Sequence, residues 1–319
     1  MRVAVTGASG FVGQAVIAKL LSCQHDVHAV FRSLDKTAPI LAQAIQTFSV
    51  GHIKVDTDWT DALTGVNCVV HCAARAHVMN ETETDALAAY RSVNVAGTRR
   101  LAEQAAKTGV HRLVYLSSIK VNGEQTFSGD FFTCLDKPFA KDPYGISKWE
   151  AEQALHEVSE KTDLEVVIIR PPLIYGAGVK GNFLSMLAWL SRGVPLPLGA
   201  IQNQRSLVGI DNLVDLIITC IDHPAAKNQT FLVSDDEDLS TTELVQRLGA
   251  ALNKPVRLLP VPASLLGLVA RLMGRQYLAE RLLGDLQVNI SKTKEMLDWA
   301  PPVSVNDGFR KTAKWYLGH

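Results

Sequence analysis

The sequence has no surplus of either charge, no paired cysteines and no uninterrupted apolar span, and each absence narrows what the protein can be. Its 32 basic side chains are matched by 32 acidic ones. No overall field therefore draws in nucleic acid or anionic lipid, and an anionic ligand must be met by a local site. The five cysteines, Cys23, Cys68, Cys72, Cys134 and Cys220, form no CxxC and no zinc-ligand spacing with histidine. An odd, scattered set behind an N-terminus that reads as strand and turn, with no secretory leader, points to reduced thiols in a cytoplasm. Internal repeats and low-complexity tracts are absent. The nearest approach to a membrane span, 262–284, is interrupted by Arg271, whereas a spanning helix needs about 20 largely apolar residues. That stretch reads as helix packed on a soluble body, with docking to a membrane or partner as the lesser alternative.

What is present is ordinary globular material. The chain has 319 residues, 47% hydrophobic and 20% charged, enough for one large α/β domain or two modest ones. Short apolar runs at 2–7, 26–32, 47–56, 67–74, 111–118 and 164–172 read as strands, the last stopped by Pro171 and Pro172. Between them lie helical patterns at 10–23, about 84–107 and 142–161. Strand–helix alternation of this kind predicts an α/β fold with a doubly wound parallel sheet over 1–172. Beyond 172 proline and glycine become dense, notably in RGVPLPLGA (192–200), and helix dominates. Residues 173–319 are expected to form a smaller C-terminal α/β part that binds substrate, exchanging a strand with the first part near 205–220.

Three motifs carry chemistry. TGASGFVG joins the first strand to the first helix, with Gly7, Gly10 and Gly13 three apart. Glycines there allow a tight turn and close approach of a pyrophosphate to free N–H groups at a helix N-terminus. Gly7, Gly10, Phe11, Val12 and Gly13 are therefore expected at a dinucleotide. The second strand ends VFRS, with Arg32 and no acid until Asp35, which favours NADP or mixed use over NAD. Asp56, placed at the end of the third strand, is a candidate acceptor for the adenine amino group. In DPYGISKWEAE (142–152) Asp142 is a helix cap, and Tyr144 and Lys148 share one helical face. Ser117 and Ser118 close the fifth strand, where ligand crevices form. Ser118, Tyr144 and Lys148 together make a hydride-transfer set: the serine holds the substrate oxygen, and the lysine is expected to lower the tyrosine pKa so that the phenol acts as base.

These segments, with HCAARAHV (71–78), NVAGT (94–98), IIRPPLIYG (168–176), RSLVGIDNLVD (205–215) and LDWAPPVSVNDGFRKT (297–312), resemble the extended short-chain dehydrogenase/reductases of the nucleotide-sugar epimerase/dehydratase branch. The resemblance implies a Rossmann-type enzyme using NAD or NADP on a UDP-hexose or UDP-N-acetylhexosamine. It places Ala73, Ala74, Asn94 and Pro171 near the cofactor with Tyr144 and Lys148. It also puts Asn182 near the nucleotide, Arg205 at the diphosphate and 195–199 against the uracil. Arg281 is a second diphosphate candidate, better read as a solvated helix face, and Arg75 and His77 are equally sugar contacts or a surface pair. Related 4,6-dehydratases have Thr-Asp-Glu where this chain has Ser118, Ile119 and Lys120, so elimination lacks its carboxyls. A UDP-sugar 4-epimerase is the first expectation. A reductase of a UDP-4-keto-hexose in surface-polysaccharide synthesis is the alternative, and a non-catalytic NADP-sensing regulator the second alternative. Relatives pair through the helices here at 84–107 and 143–161, implying a homodimer.

Overall fold

Val3-Ala4-Val5, Ala29-Val30-Phe31 and Val166 to Ile169 are apolar on both faces of their strands, a pattern stable only where helices cover both sides of a parallel sheet. The computed structural model, which describes residues 1–33, 46–76, 85–127, 129–274 and 276–318, builds that sheet. The strands among these residues are β1 (Arg2–Thr6), β2 (Asp26–Phe31), β3 (Gln46–Ser49), β4 (Cys68–His71), β5 (Arg112–Leu116), β6 (Glu165–Arg170), β7 (Leu173–Tyr175), β8 (Arg205–Gly209), β9 (Thr230–Leu232) and β10 (Asp238–Leu239). Seven of them form one parallel sheet in the order β3-β2-β1-β4-β5-β6-β9, and the other three form a small sheet, β10-β8-β7. The order reverses between β1 and β4, so the crevice for a ligand opens at their carboxyl ends.

The helices are α1 (Phe11–Ser22), α2 (Thr60–Leu63), α3 (Ala86–Arg91), α4 (Gly97–Lys107), α5 (Pro143–Lys161), α6 (Gly181–Ser191), α7 (Ile210–Asp222), α8 (Thr241–Ala251), α9 (Ala263–Leu272), α10 (Gln276–Leu283), α11 (Ser291–Leu297) and α12 (Val305–Leu317). One face of the large sheet packs on α1 and α7 through Val16, Leu20, Leu213 and Ile217. The other packs on α2, α4 and α5 through Leu63, Leu101, Ala105, Ala151 and Leu155. A third core joins α6, α8 and α12 around Phe183, Leu248 and Phe309.

Several boundaries differ from the sequence expectation. The third strand stops at Ser49. Asp56 therefore does not end it but sits exposed in a turn seven residues further on, past Gly51, whose φ of +67° turns the chain out of the strand. The helix expected at 84–107 is divided by a π turn at Ser92–Ala96. Near 205–220, β8 stays in the small sheet and the helix that follows it, α7, packs back on α1. The strand that crosses into the large sheet is β9, beside β6.

Candidate active site

The loop between β1 and α1 is as tight as its glycines imply. Gly7 has φ +67°, and a Cβ there would lie 2.8 Å from the Ala73 nitrogen. A Cβ on Gly13 would lie 2.2 Å from the Gly7 carbonyl oxygen, so any side chain would push helix and loop apart. Gly10 starts α1 with no side-chain cap. The first-turn N–H groups thus lack the usual hydroxyl or carboxylate acceptor, and the helix dipole favours an anion there. Gly10 is exposed, Phe11 half-buried and Val12 buried, so the side chains at 11 and 12 hold the helix down while the glycine edge faces out. A dinucleotide pyrophosphate fits this donor set. Arg32 is exposed just past β2, while Asp35 and His77 fall outside the described residues.

Beyond β4, Ala73 donates its backbone N–H to Thr6 Oγ1 at 3.2 Å, and the half-buried Ala73 and Ala74 lie along the same crevice. The Asn94 carboxamide locks the loop that follows. It accepts from Arg75 N at 2.8 Å and donates to Arg75 O at 3.1 Å and to Ser147 Oγ at 2.9 Å. All its polar atoms are spent on the protein, so Asn94 shapes the crevice by tying the β4 loop to α5. The π turn aims it there, as such insertions often do at functional sites.

Asp142 caps α5, accepting from Gly145 N at 2.6 Å. Its other carboxylate oxygen pairs with Lys120, which is also 3.6 Å from Glu124. This clasp joins the start of α5 to the 3₁₀ turn Ile119–Val121, which Ser118 begins. The Ser118 hydroxyl consequently faces the Tyr144 phenol and favours its ionised form. Tyr144 meets the edge of Tyr90 at 6.1 Å between centroids, and the Arg75 guanidinium lies 5.5 Å above Tyr90. One turn along, buried Lys148 donates to the Leu116 carbonyl at 2.7 Å and to the Tyr115 hydroxyl at 3.2 Å, with its ammonium 6.0 Å from the centre of the Tyr144 ring. Ser117 points the other way, donating to Glu152 at 2.5 Å inside a buried network in which Arg170 binds both oxygens of Glu152 and also Asn122. Ser118 alone of the two serines faces Tyr144. Pro171 is buried and accepts from Ile119 N at 3.0 Å, fixing the turn after Ser118 against the end of β6.

The electrostatics correct one expectation. Burial raises the Tyr144 phenol well above its usual value, the Asp142 carboxylate raises it further, and Ser118 lowers it in part. Burial pushes Lys148 down to about 7. In the protein alone, desolvation outweighs the lysine's pull on the phenol, because the ammonium is turned toward Leu116 and Tyr115. Behind Lys148, His71 bridges Thr6 Oγ1 at 2.6 Å and Thr98 Oγ1 at 2.9 Å. Burial and the charge of Lys148 push His71 down to about 3.

That shift has a consequence for stability. Between about pH 6.5 and 3 the unfolded chain binds the His71 proton and the folded chain does not. The contribution is whole above pH 6.5 and is lost on acidification, at about 1.4 kcal/mol per pH unit from this one group. Denaturant titrations of His71→Gln over this range are expected to show a pH slope shallower by about one proton; an unchanged slope refutes a neutral buried His71.

At the far side of the crevice, Arg205 opens β8 and donates to the Gly284 carbonyl at 2.9 Å. Burial and the neighbouring Arg281 push its guanidinium down to about 10. Arg281 is therefore beside Arg205, not on a solvated face as its helical spacing suggests. The backbone bridge Arg205↔Leu286 makes the approach, a contact across some 80 residues that spacing within α10 cannot show. Asn182 is exposed in the first turn of α6, and 195–199 runs beside 257–259. Sequence reasoning also passed over Tyr115 and Tyr90, the partners of Lys148 and Tyr144. Both are aromatics in apolar runs, with no local signal separating them from core.

Residues 3–234 match the NAD-dependent epimerase/dehydratase family. UDP-glucose 4-epimerase of Vibrio cholerae is 49% identical over 317 residues, covering 98% of this chain and 94% of that protein. The N-acetyl-α-D-glucosaminyl-diphospho-ditrans,octacis-undecaprenol 4-epimerase of Escherichia coli O157:H7 is 28% identical, covering 99% and 96%. Among solved structures, UDP-glucuronic acid 4-epimerase of Bacillus cereus with NAD superposes with a TM-score of 0.78 at 19% identity, covering 100% of this chain and 99% of that one. UDP-glucose 4-epimerase of Thermotoga maritima with UDP-glucose gives 0.77 at 21%, with the same coverage.

Proposed function

This chain belongs to the NAD-dependent epimerase/dehydratase family, and from that premise we propose that it is a UDP-sugar 4-epimerase. The observation that carries this reading is the Ser118 hydroxyl on the Tyr144 phenol, one helical turn from Lys148, at the carboxyl end of β5. Ile119 is buried and Lys120 is engaged by Asp142 and Glu124, so the position after Ser118 offers no acid for eliminating water across C5–C6. The site is suited to moving one proton and one hydride at a single carbinol.

In this reading residues 1–172 hold NAD and 173–319 hold the nucleotide sugar. The cofactor in this reading is NAD, as in the family's description, with Arg32 just past β2 placed to receive the 2′-phosphate if NADP is used as well. Gly7, Gly10 and Gly13 admit the pyrophosphate to the α1 N-terminus, and Ala73 and Ala74 flank it. Held there, the nicotinamide would supply a positively charged acceptor for the C4 hydride and its source on return. The Tyr144 oxygen takes the C4 hydroxyl proton and gives it back, and Ser118 holds the C4 oxygen. Lys148, one helical turn on, would steady the ionised phenol while it keeps its own proton. Arg205 and Arg281 form a two-guanidinium clamp for the diphosphate, the geometry that suits charge-assisted bidentate bonds. Asn182 and 195–199 enclose the nucleoside. A homodimer through α3–α4 and α5 completes the proposal. The surface ion pairs Arg91–Glu150 at 2.5 Å and Arg99–Glu157 at 2.6 Å already knit these helices within one chain.

The test is incubation of the protein as isolated, without added cofactor, with UDP-glucose and separately with UDP-GlcNAc, followed by NMR. The expected result is interconversion with the C4 epimer, which also shows whether the sugar carries an N-acetyl group. No interconversion of either sugar, even with NAD added, overturns the epimerase and points to a reductase, assayed next on a UDP-4-keto-6-deoxy sugar with NADPH.

A further inference from the structure

Helix α9 is built with its apolar stripe outward. Leu265, Leu268, Val269 and Leu272 follow the i, i+3, i+4, i+7 spacing that normally seats a helix on a core. Here these four are 45 to 79% exposed, Met273 beside them is 62% exposed, and no residue of α9 is buried. The face turned inward carries Ala263, Leu266, Gly267 and Ala270, all half-buried, with Gly267 against Leu283 of α10. Small residues seat the helix while the large ones point away, which reverses the order that burial alone would select.

The chain on either side of α9 carries charge of one sign although the protein is neutral overall. From 244 to 279 the sequence holds Arg247, Lys254, Arg257, Arg271 and Arg275 and no aspartate or glutamate. Lys254, Arg257 and Arg271 are exposed and have no ion-pair partner among the described residues. Leucines and valine on one side of the helix, with Arg271 in its last turn and basic residues but no acid along the preceding chain from 244, suit a helix that lies in the interface of an anionic bilayer. No helix among the described residues is long and apolar enough to cross a membrane, so the contact is one of lying on the surface.

We propose that α9 docks the enzyme on anionic phospholipid, with Leu265, Leu268, Val269 and Leu272 in the headgroup–acyl boundary and Lys254, Arg257 and Arg271 against the headgroups. Since α10, packed on α9, carries Arg281 beside Arg205, docking sets the diphosphate clamp close to the membrane plane. The surface does not depend on the reaction assigned to the crevice, and its readout is separate from turnover.

The experiment is vesicle flotation of the full chain with phosphatidylcholine vesicles and with phosphatidylcholine–phosphatidylglycerol vesicles, alongside sugar-nucleotide turnover in solution. The wild type is expected to float with the anionic vesicles and not the neutral ones, and to be released by salt. Leu268→Gln/Leu272→Gln is expected to lower the bound fraction about tenfold or more by taking two apolar side chains out of the interface. Arg257→Glu/Arg271→Glu is expected to remove the preference for anionic vesicles. Both variants alter exposed positions, so turnover in solution stays at the wild-type level. Wild type that does not float overturns the proposal, as does flotation unchanged in both variants. Concentration-dependent self-association that the leucine variant abolishes, without lipid binding, overturns it in favour of a second copy of the chain.

Discussion

Tyr144→Phe is expected to lower turnover by about 10²- to 10⁴-fold, the range that general acid–base catalysis contributes, while NAD binding stays close to wild type. The phenylalanine keeps the ring that meets Tyr90 edge-on and removes only the oxygen that Ser118 faces. Burial holds this phenol protonated in the protein alone. The charges that favour its ionised form are then the Lys148 ammonium and the oxidised cofactor ring. With the cofactor bound, turnover should accordingly depend on pH through the phenol and Lys148 together, since Lys148 is held down to about 7, and in Tyr144→Phe the phenol's part of that dependence should vanish with the rate. Steady-state kinetics across pH and equilibrium dialysis of NAD check both halves. Wild-type turnover in Tyr144→Phe would remove Tyr144 from the reaction, and lost NAD binding would make its role structural.

The second large effect concerns stability. Glu152→Ala is expected to cost about 3–5 kcal/mol, because Arg170 is left as a buried charge with no counter-ion. Glu152 is fully buried, Arg170 is 4% exposed, and Ser117 also loses its acceptor. A fall in the denaturation midpoint at constant slope would measure it. Replacing both partners by apolar side chains of similar size should recover most of the loss, since the desolvation cost of the pair disappears with it. A Glu152→Ala change under about 1 kcal/mol would show that the pair is not the buried strut described here. Because Ser117 adjoins Ser118 and Arg170 adjoins Pro171, the same substitution loosens the floor of the candidate site.

What the sequence discloses and what it conceals divide along the range of the interaction. Gly7, Gly10 and Gly13 are legible because a turn between strand and helix is a local demand. Asp142, Tyr144 and Lys148 are legible because capping and a shared helical face depend on residues within one turn. The parallel sheet is legible because apolar runs such as Val166 to Ile169 leave no wet face. The direction in which Ser117 turns is not, since it is set by Glu152 and Arg170 from two other elements. Nor is the way Asn94 shapes the crevice, since its hydrogen bonds run to Arg75 and Ser147, and the π turn that aims it breaks no hydrophobic period strongly enough to be read. The meeting of Arg281 with Arg205 is likewise a long-range product. Desolvation of Tyr144 follows from the assembled crevice, so no motif could have given its direction.

The place of β9 bears on how the protein is made. Synthesis runs from the N-terminus, and once residue 172 has left the ribosome six of the seven strands of the large sheet exist. The edge of β6 is still bare, and the α1 side lacks α7, until residues up to 232 emerge. An uncovered parallel edge with apolar flanks is a template for wrong pairing. Translation thus passes through an interval in which the half holding the glycine loop is spelled out but unsealed, and the closing strand is delivered from the half that follows.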